Sequence, residues 1–337
     1  MTSFDHTSKP SRDPGALLSV SVVVPVYNSE TTLDELIARL AQALPGISRA
    51  YEVVLVNDGS QDGSWAKIVQ ITGSQPWVRG VNLMRNYGQH NALLCGIRAA
   101  RYQVIVTMDD DLQHPPEEIH KLLEKLAEGY DVVYASPEAL PHSWWRNWFS
   151  RFTKRALAYL MGIKTVRDIG PFRAFRSDLR KAFDTYQNPS VLVDALLSWG
   201  TTRFAVAKVN EQPRPVGRSN YNFYKLFGIA MEVLTGFSTI PLRLTSLIGF
   251  VFTLFGVVVF IYVLVVFFVA GSIPGFPFLA SIISLFSGSQ LFALGIFGEY
   301  LARIFDRSMD RPPYVIGETT AENQLQAKNA LEAERAP

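Results

Sequence analysis

QVIVTMDDDLQHPPEEI, residues 103 to 119, joins a β-branched run to three consecutive aspartates and a proline-led helix start. The VIV run reads as a buried strand, and Pro115-Pro116 followed by two glutamates reads as the first turn of a helix. Between them Asp109, Asp110 and Asp111 crowd negative charge where a core strand surfaces. Two carboxylates about 4 Å apart repel by roughly 4 kcal/mol at the effective dielectric of a protein surface, so the cluster needs full solvation or a bound cation. By itself the segment is an acidic turn, and its surroundings decide between the two.

Working outward, residues 20 to 135 alternate β-branched runs with amphipathic stretches. VSVVVPV (20 to 26), YEVVLVN (51 to 57), VRGVNLM (78 to 84), QVIVTMD (103 to 109) and DVVYAS (131 to 136) are the strand candidates. Leu33, Leu36, Ile37, Leu40 and Leu44 recur at three- and four-residue steps, with Thr32 and Glu35 as a capping-box signature at the start of that helix. Strands and helices in alternation predict an α/β fold with a mostly parallel sheet, whose ligands sit at the carboxyl ends of the strands. Those ends carry ProValTyrAsn (25 to 28), AsnAspGlySer (57 to 60) and the aspartate cluster. Neither G-x-G-x-x-G nor a Walker-type lysine loop is present, which argues against a dinucleotide enzyme and a P-loop NTPase.

The 337 residues are 48% hydrophobic with a formal charge of +2, and the single cysteine, Cys95, excludes an intrachain disulfide. The first nineteen residues are polar and lack the apolar core of a secretory signal, so they read as a disordered lead-in. The apolarity lies at the other end. From 244 to 298 there are 55 residues without a charge or a histidine. A bilayer core takes about 20 apolar residues per helix, so two transmembrane helices joined near GSIPGFP (271 to 277) fit that length. A buried hairpin of a soluble protein would need a second core of comparable size around it. Arg243 precedes the first span and Arg303, Arg307 and Arg311 follow the second, while the connecting loop is uncharged. Both termini and the polar domain are therefore expected on the cytoplasmic side of the inner membrane. The expected division is a lead-in at 1–19, the polar α/β domain at 20–220, a juxtamembrane amphipathic helix at 221–243, two spans at 244–303 and a tail at 304–337. Residues 143–163 carry Trp145, Phe149, Phe152, Ala156 and Tyr159 on one helical arc with Lys154 opposite, a pattern that suits a membrane interface or a helix packed on the sheet.

SVVVPVYNSE (21 to 30), VNDGSQDGS (56 to 64), RNYGQHNALLCGI (85 to 97) and MDDDLQHPPEEI (108 to 119) resemble, in order and spacing, the nucleotide-sugar domain of the inverting family-two glycosyltransferases. RDIGPFRAF (167 to 175), PRPVGRSNY (213 to 221), STIPLRLTSLIGF (238 to 250) and GEYLARIFDR (298 to 307) resemble the branch of that family that loads sugars onto polyprenyl phosphates. The resemblance covers roughly residues 20 to 315 and implies a glycosyltransferase A-type, Rossmann-like domain. It implies transfer of one sugar, with inversion, from a nucleotide-diphosphate sugar such as a UDP-sugar to a polyprenyl phosphate such as undecaprenyl phosphate, for modification of envelope glycans.

Side chains alternate along an extended strand, so Asp109 and Asp111 converge while Asp110 points elsewhere and should be expendable. That parity matches the family's Asp-x-Asp, with Gln113 at the position of a third ligand, and the hard oxygen donors suit Mg²⁺ or Mn²⁺. By resemblance Pro25, Tyr27, Glu30, Asp58, Arg85, His90, Asp109 and Asp110 line the donor site. Gly59 serves either the bend or the ligand, and His90 either faces the donor or bonds structurally. Asp168 matches the residue proposed as catalytic base, yet a phosphate monoester is mostly dianionic at neutral pH and needs little help losing a proton. Asp168 is thus a base, an acceptor-orienting group or a partner of Arg173. Arg214 and Ser219 match the loop that holds the acceptor phosphate, which here departs from the usual pattern as Gly217-Arg218-Ser219-Asn220. Relatives often carry a basic residue near 135 to 143, and Arg146 stands in for it. The expected partners are the nucleotide sugar, the lipid phosphate and the membrane, with no nucleic acid; a homo-oligomer is compatible with the sequence. A processive polysaccharide synthase would carry Gln-x-x-Arg-Trp, which is absent. A non-catalytic flippase subunit would need polar faces on its spans, and 244–298 offers only Ser, Thr, Tyr and Gln290.

Overall fold

The computed structural model describes residues 18–137, 170–189, 191–210, 240–270 and 275–321. Among them eight strands form one sheet: β1 (Ser19–Val26), β2 (Ala50–Asn57), β3 (Val78–Leu83), β4 (Val104–Thr107), β5 (Val132–Pro137), β6 (Arg173–Arg176), β7 (Phe204–Val209) and β8 (Ile316–Thr319). Their spatial order is β7-β5-β6-β4-β1-β2-β3-β8. β1 pairs in parallel with β2 and β4, β2 with β3, and β5 with β7. β6 runs antiparallel between β4 and β5, and β8 antiparallel on β3.

β1 and β2 are central and parallel, so both faces are covered and their runs are continuously apolar rather than alternating. Val22, Val24 and Val26 face the core built with α1 (Leu33–Ala43), α2 (Ser64–Ser74) and α4 (Ile119–Ala127). Val23, Val54 and Val56 face the opposite core, with α3 (Gln89–Ala99) and α5 (Val193–Gly200). Gly96 lets α3 sit close on that face, since a Cβ there would come within 2.3 Å of the Val23 side chain. The strand order reverses between β1 and β4, and in an α/β sheet the carboxyl ends at such a reversal form the binding crevice.

The five strands expected from the sequence are present, with small shifts at their ends. β1 begins at Ser19, inside the expected lead-in, and β4 ends at Thr107, two residues before the first aspartate. β6, β7 and β8 were not anticipated. β8 comes from the segment expected as a tail: Gly80 N–H donates to Thr320 Oγ1 at 2.9 Å and Met84 N–H to the Val315 carbonyl at 3.0 Å. The capping box does not form. Thr32 precedes α1 with helical backbone angles, and its hydroxyl donates to the Ser29 carbonyl at 3.1 Å instead of capping the helix.

The chain divides into two compact units, Met1–Ser219 with Pro312–Pro337, and Asn220–Arg311. The second contains α6 (Ile240–Ala270) and α7 (Phe276–Ser308). Gly256 gives the Phe286 ring room to approach α6, and Phe252 meets the same ring edge-on at 5.8 Å. Phe250, Phe260, Phe268 and Val269 of α6 expose most of their surface. Among the described residues one stretch is long and apolar enough to cross a membrane, Leu244–Val269 of α6, with a mean hydropathy of 3.0. The interface pattern at 143–163 and the juxtamembrane helix at 221–243 lie outside the described residues, apart from the start of α6.

Candidate active site

Three loops meet at the carboxyl ends of β1, β2 and β4, and side chain to backbone hydrogen bonds hold them together. Asn28, with φ +53°, ties the loop after β1 to the loop after β2: its N–H donates to Ser60 Oγ at 3.0 Å and its Oδ1 accepts from Gln61 N–H at 2.8 Å. Ser29 N–H donates to Ser64 Oγ at 2.9 Å. Glu30 Oε2 accepts from Gly63 N–H at 3.0 Å, which commits that oxygen to the residue preceding α2. Pro25 is buried beneath this junction and Tyr27 is exposed.

Asp58 is buried, and its two oxygens accept from Tyr87 N–H at 2.7 Å and Gly88 N–H at 2.9 Å. Burial pushes its carboxyl above the usual aspartate range, and the two N–H groups partly offset that. Both oxygens of a residue expected to read the nucleotide therefore also staple the loop between β3 and α3. Gly59, at φ +65°, serves the bend: a Cβ there would lie 2.5 Å from the Arg85 and Asn86 backbone. Arg85 is exposed with its guanidinium 4.7 Å from the Tyr87 ring centroid, and His90 sits half-buried in the first turn of α3.

The aspartate loop corrects one expectation. Because β4 stops at Thr107, the strand's alternation does not govern the three carboxylates, and Leu112 at φ +59° turns the chain inward after them. Asp109 Oδ1 accepts from Gln89 Nε2 at 2.6 Å, and Asp111 Oδ1 accepts from Gln113 N–H at 3.1 Å. Asp110, expected to point elsewhere, turns toward the loop after β1, where its Oδ2 accepts from Tyr27 N–H at 3.4 Å. Burial raises the Asp110 carboxyl, the Ser29 hydroxyl and Tyr27 N–H oppose that, and the neighbouring Asp111 charge adds to it. His114 stacks on Phe172 at 5.2 Å, closing the loop before Pro115 leads into α4.

No group of three His, Cys, Asp or Glu side chains is arranged to hold a metal ion among the described residues. Asp109, Asp111 and Gln113 on one short loop are hard oxygen donors, and Asp110 and Asp111 are close enough for one charge to raise the other's carboxyl. Two carboxylates and an amide on one short loop are a donor set whose chemistry suits a divalent ion.

Arg146, Asp168, Arg214 and Ser219 lie outside the described residues. Arg173, weighed as a partner for Asp168, pairs with Asp194 of α5. Gln89 and Ser29 were not singled out as site residues. Each stands inside a quoted motif, Gln89 at the start of a helix whose first turn faces the strand ends.

Residues 21–183 match the family model described as glycosyl transferase family 2. The undecaprenyl-phosphate 4-deoxy-4-formamido-L-arabinose transferase of Pseudomonas paraeruginosa is 37% identical over 303 residues, covering 88% of this chain and 89% of its own. The transferase of the same name from Shewanella sediminis is 34% identical over 322 residues, 92% of this chain and 96% of its own. An uncharacterized glycosyltransferase of Synechocystis is 30% identical over 303 residues, 89% and 95%. Among solved structures, glucosyl-3-phosphoglycerate synthase from Mycobacterium tuberculosis, crystallised with Mn²⁺, UDP and phosphoglyceric acid, superposes with a TM-score of 0.50 at 17% identity, over 68% of this chain and 82% of that one. The latter likeness is one of fold.

Proposed function

The chain belongs to glycosyl transferase family 2, on the branch that loads sugars onto polyprenyl phosphates, and from that premise we propose that it moves one sugar from a UDP-sugar to undecaprenyl phosphate in a single inverting displacement. The observation that carries the reading is the aspartate loop, docked on Tyr27 and Gln89 where the strand order reverses. The transferases it resembles match it through the apolar segment as well as the sheet.

In this reading Pro25, Tyr27, Asp58, Arg85 and His90 receive the nucleotide on loops that the Asn28, Glu30 and Asp58 hydrogen bonds hold in place. Asp109, Asp111 and Gln113 would hold Mg²⁺ or Mn²⁺. When bound, such an ion offsets the negative charge that develops on the leaving nucleoside diphosphate. Asp110 keeps the loop seated through Tyr27 N–H. The acceptor phosphate is largely dianionic at neutral pH, so it needs cationic seats more than a base. Arg214, Ser219 and Arg146 supply those seats, since a guanidinium fork matches phosphate oxygens. Asp168 orients the acceptor or takes its remaining proton.

The lipid tail remains in a bilayer, and the exposed apolar surface of α6 supports anchoring there. We assign α7 as a second span, with both termini cytoplasmic by the arginines that flank the pair. The domain boundaries follow as a sheet domain to about residue 220, a hairpin, and a returning segment that supplies β8.

Incubating the purified protein with a panel of nucleotide sugars and undecaprenyl phosphate in bilayer or detergent tests the reading. A single-sugar lipid product supports it. Polymer formation would favour a processive synthase, and nucleotide hydrolysis without a glycolipid would exclude both.

A further inference from the structure

The end of β4 is tied into the sheet by a row of polar side chains outside the donor residues described above. Thr107, the last residue of β4, lies in register with Arg173 of β6, and Arg173 with Tyr134 of β5. All three are completely buried. A buried guanidinium requires a counter-charge, and Asp194 of α5 provides it: its Oδ1 accepts from Arg173 Nη1, and from Tyr134 Oη at 2.9 Å. Arg173 Nε–H donates to Thr107 Oγ1 at 3.0 Å.

That last bond dictates the next one. A guanidinium only donates, so the Thr107 hydroxyl accepts there and its single proton is left to donate elsewhere. It donates to the Pro171 carbonyl at 2.7 Å. Thr107 stands two residues before Asp109, and Pro171 three residues after Asp168. One hydroxyl thereby joins the start of the aspartate loop to the stretch of chain that follows Asp168.

We propose that Thr107, oriented by Arg173, is a positioning residue for sugar transfer, fixing the point where the aspartate loop leaves β4 against Pro171 and β6. This rests on the aspartate loop being the donor-diphosphate site. The hydroxyl touches neither substrate. Its loss lets the start of the aspartate loop shift on β6 while the donor-binding loops after β1 and β2 keep their own hydrogen bonds.

The experiment compares Thr107→Val, which keeps the shape and β-branching but removes the hydroxyl, with Thr107→Ser, which keeps the hydroxyl. Circular dichroism and melting establish that each is folded. For Thr107→Val we expect kcat to fall by about tenfold to a hundredfold, the scale of a misplacement of roughly 1 Å. Donor KM should stay within about twofold, as for an interaction felt in the transition state and not in donor binding. Thr107→Ser should recover most of the rate. If Thr107→Val does not fold, Thr107→Ala against Thr107→Ser isolates the same hydroxyl with less steric demand. Wild-type kcat in the valine variant, equal impairment of the valine and serine variants, or a loss confined to donor KM would each overturn the proposal. Asp111→Asn is measured alongside. If it is inactive while Thr107→Val is unaffected, only the positioning role fails; if it is fully active, the donor-site reading fails and takes this proposal with it.

Discussion

At the carboxyl ends of β1, β2 and β4 three polar side chains each bind another loop: Asn28 the loop after β2, Asp58 Tyr87 and Gly88, Asp110 Tyr27. Helix α6 is built the other way, with 26 residues from Leu244 to Val269 that carry no charge and leave their large side chains exposed. The rim gains its shape from specific hydrogen bonds, each of which a single substitution can break. On the proposed anchoring, the helix would gain its placement from an undirected preference for an apolar phase, which no single side chain decides. Changes in the two regions should therefore fail in different ways.

The sharpest separation comes from replacing 220–311 with a flexible Gly-Ser linker, so that Pro312 onward still supplies β8. We expect nucleotide binding by calorimetry to persist while transfer to undecaprenyl phosphate in vesicles is abolished. Loss of both together would mean that the two units do not act separately. On the rim, Asp111→Asn should lower initial rates at least about a hundredfold, on the order of 3 kcal/mol, through loss of a charged ligand.

Asp58→Asn tests the stapled loop. An asparagine presents an NH₂ to one of the two backbone N–H groups that Asp58 now accepts, leaving a buried donor unsatisfied at a cost of about 1–3 kcal/mol. Chemical denaturation should show that loss of stability, with weaker donor binding. The smallest effect is expected at Asp110. Asn there retains an oxygen for Tyr27 N–H and should be nearly silent in transfer assays, whereas Asp110→Ala should raise donor KM. If the asparagine variant were as damaged as Asp111→Asn, Asp110 would have a role beyond seating the loop.

The same contrast explains what was legible in the sequence. Val22 to Val24 and Val104 to Val106 are buried on both faces of a mostly parallel sheet, and such strands appear as unbroken β-branched runs. The apolar stretch at 244–298 is equally plain, because a run without charges is legible from composition alone. β6 was missed because RAFR begins and ends in arginine, and Arg173 is buried only by virtue of Asp194, twenty-one residues away in the chain. β8 was missed because IGET becomes a strand through pairing with β3, across more than two hundred residues. The aspartates could be found but not oriented: whether Asp110 faces in or out depends on where β4 ends and on the turn at Leu112. Thr32 and Glu35 had the spacing of a capping box, yet the Ser29 carbonyl claimed the hydroxyl.

In the proposed function the aspartate loop is the seat of a divalent ion carried with the donor diphosphate. Its most direct test is the initial rate of sugar transfer by the wild-type protein after exhaustive chelation, followed across a titration of Mg²⁺ and of Mn²⁺. The expected result is no transfer in chelator and recovery to the starting rate as either metal is added. Full activity in chelator would contradict it and return Asp109, Asp110 and Asp111 to an acidic turn.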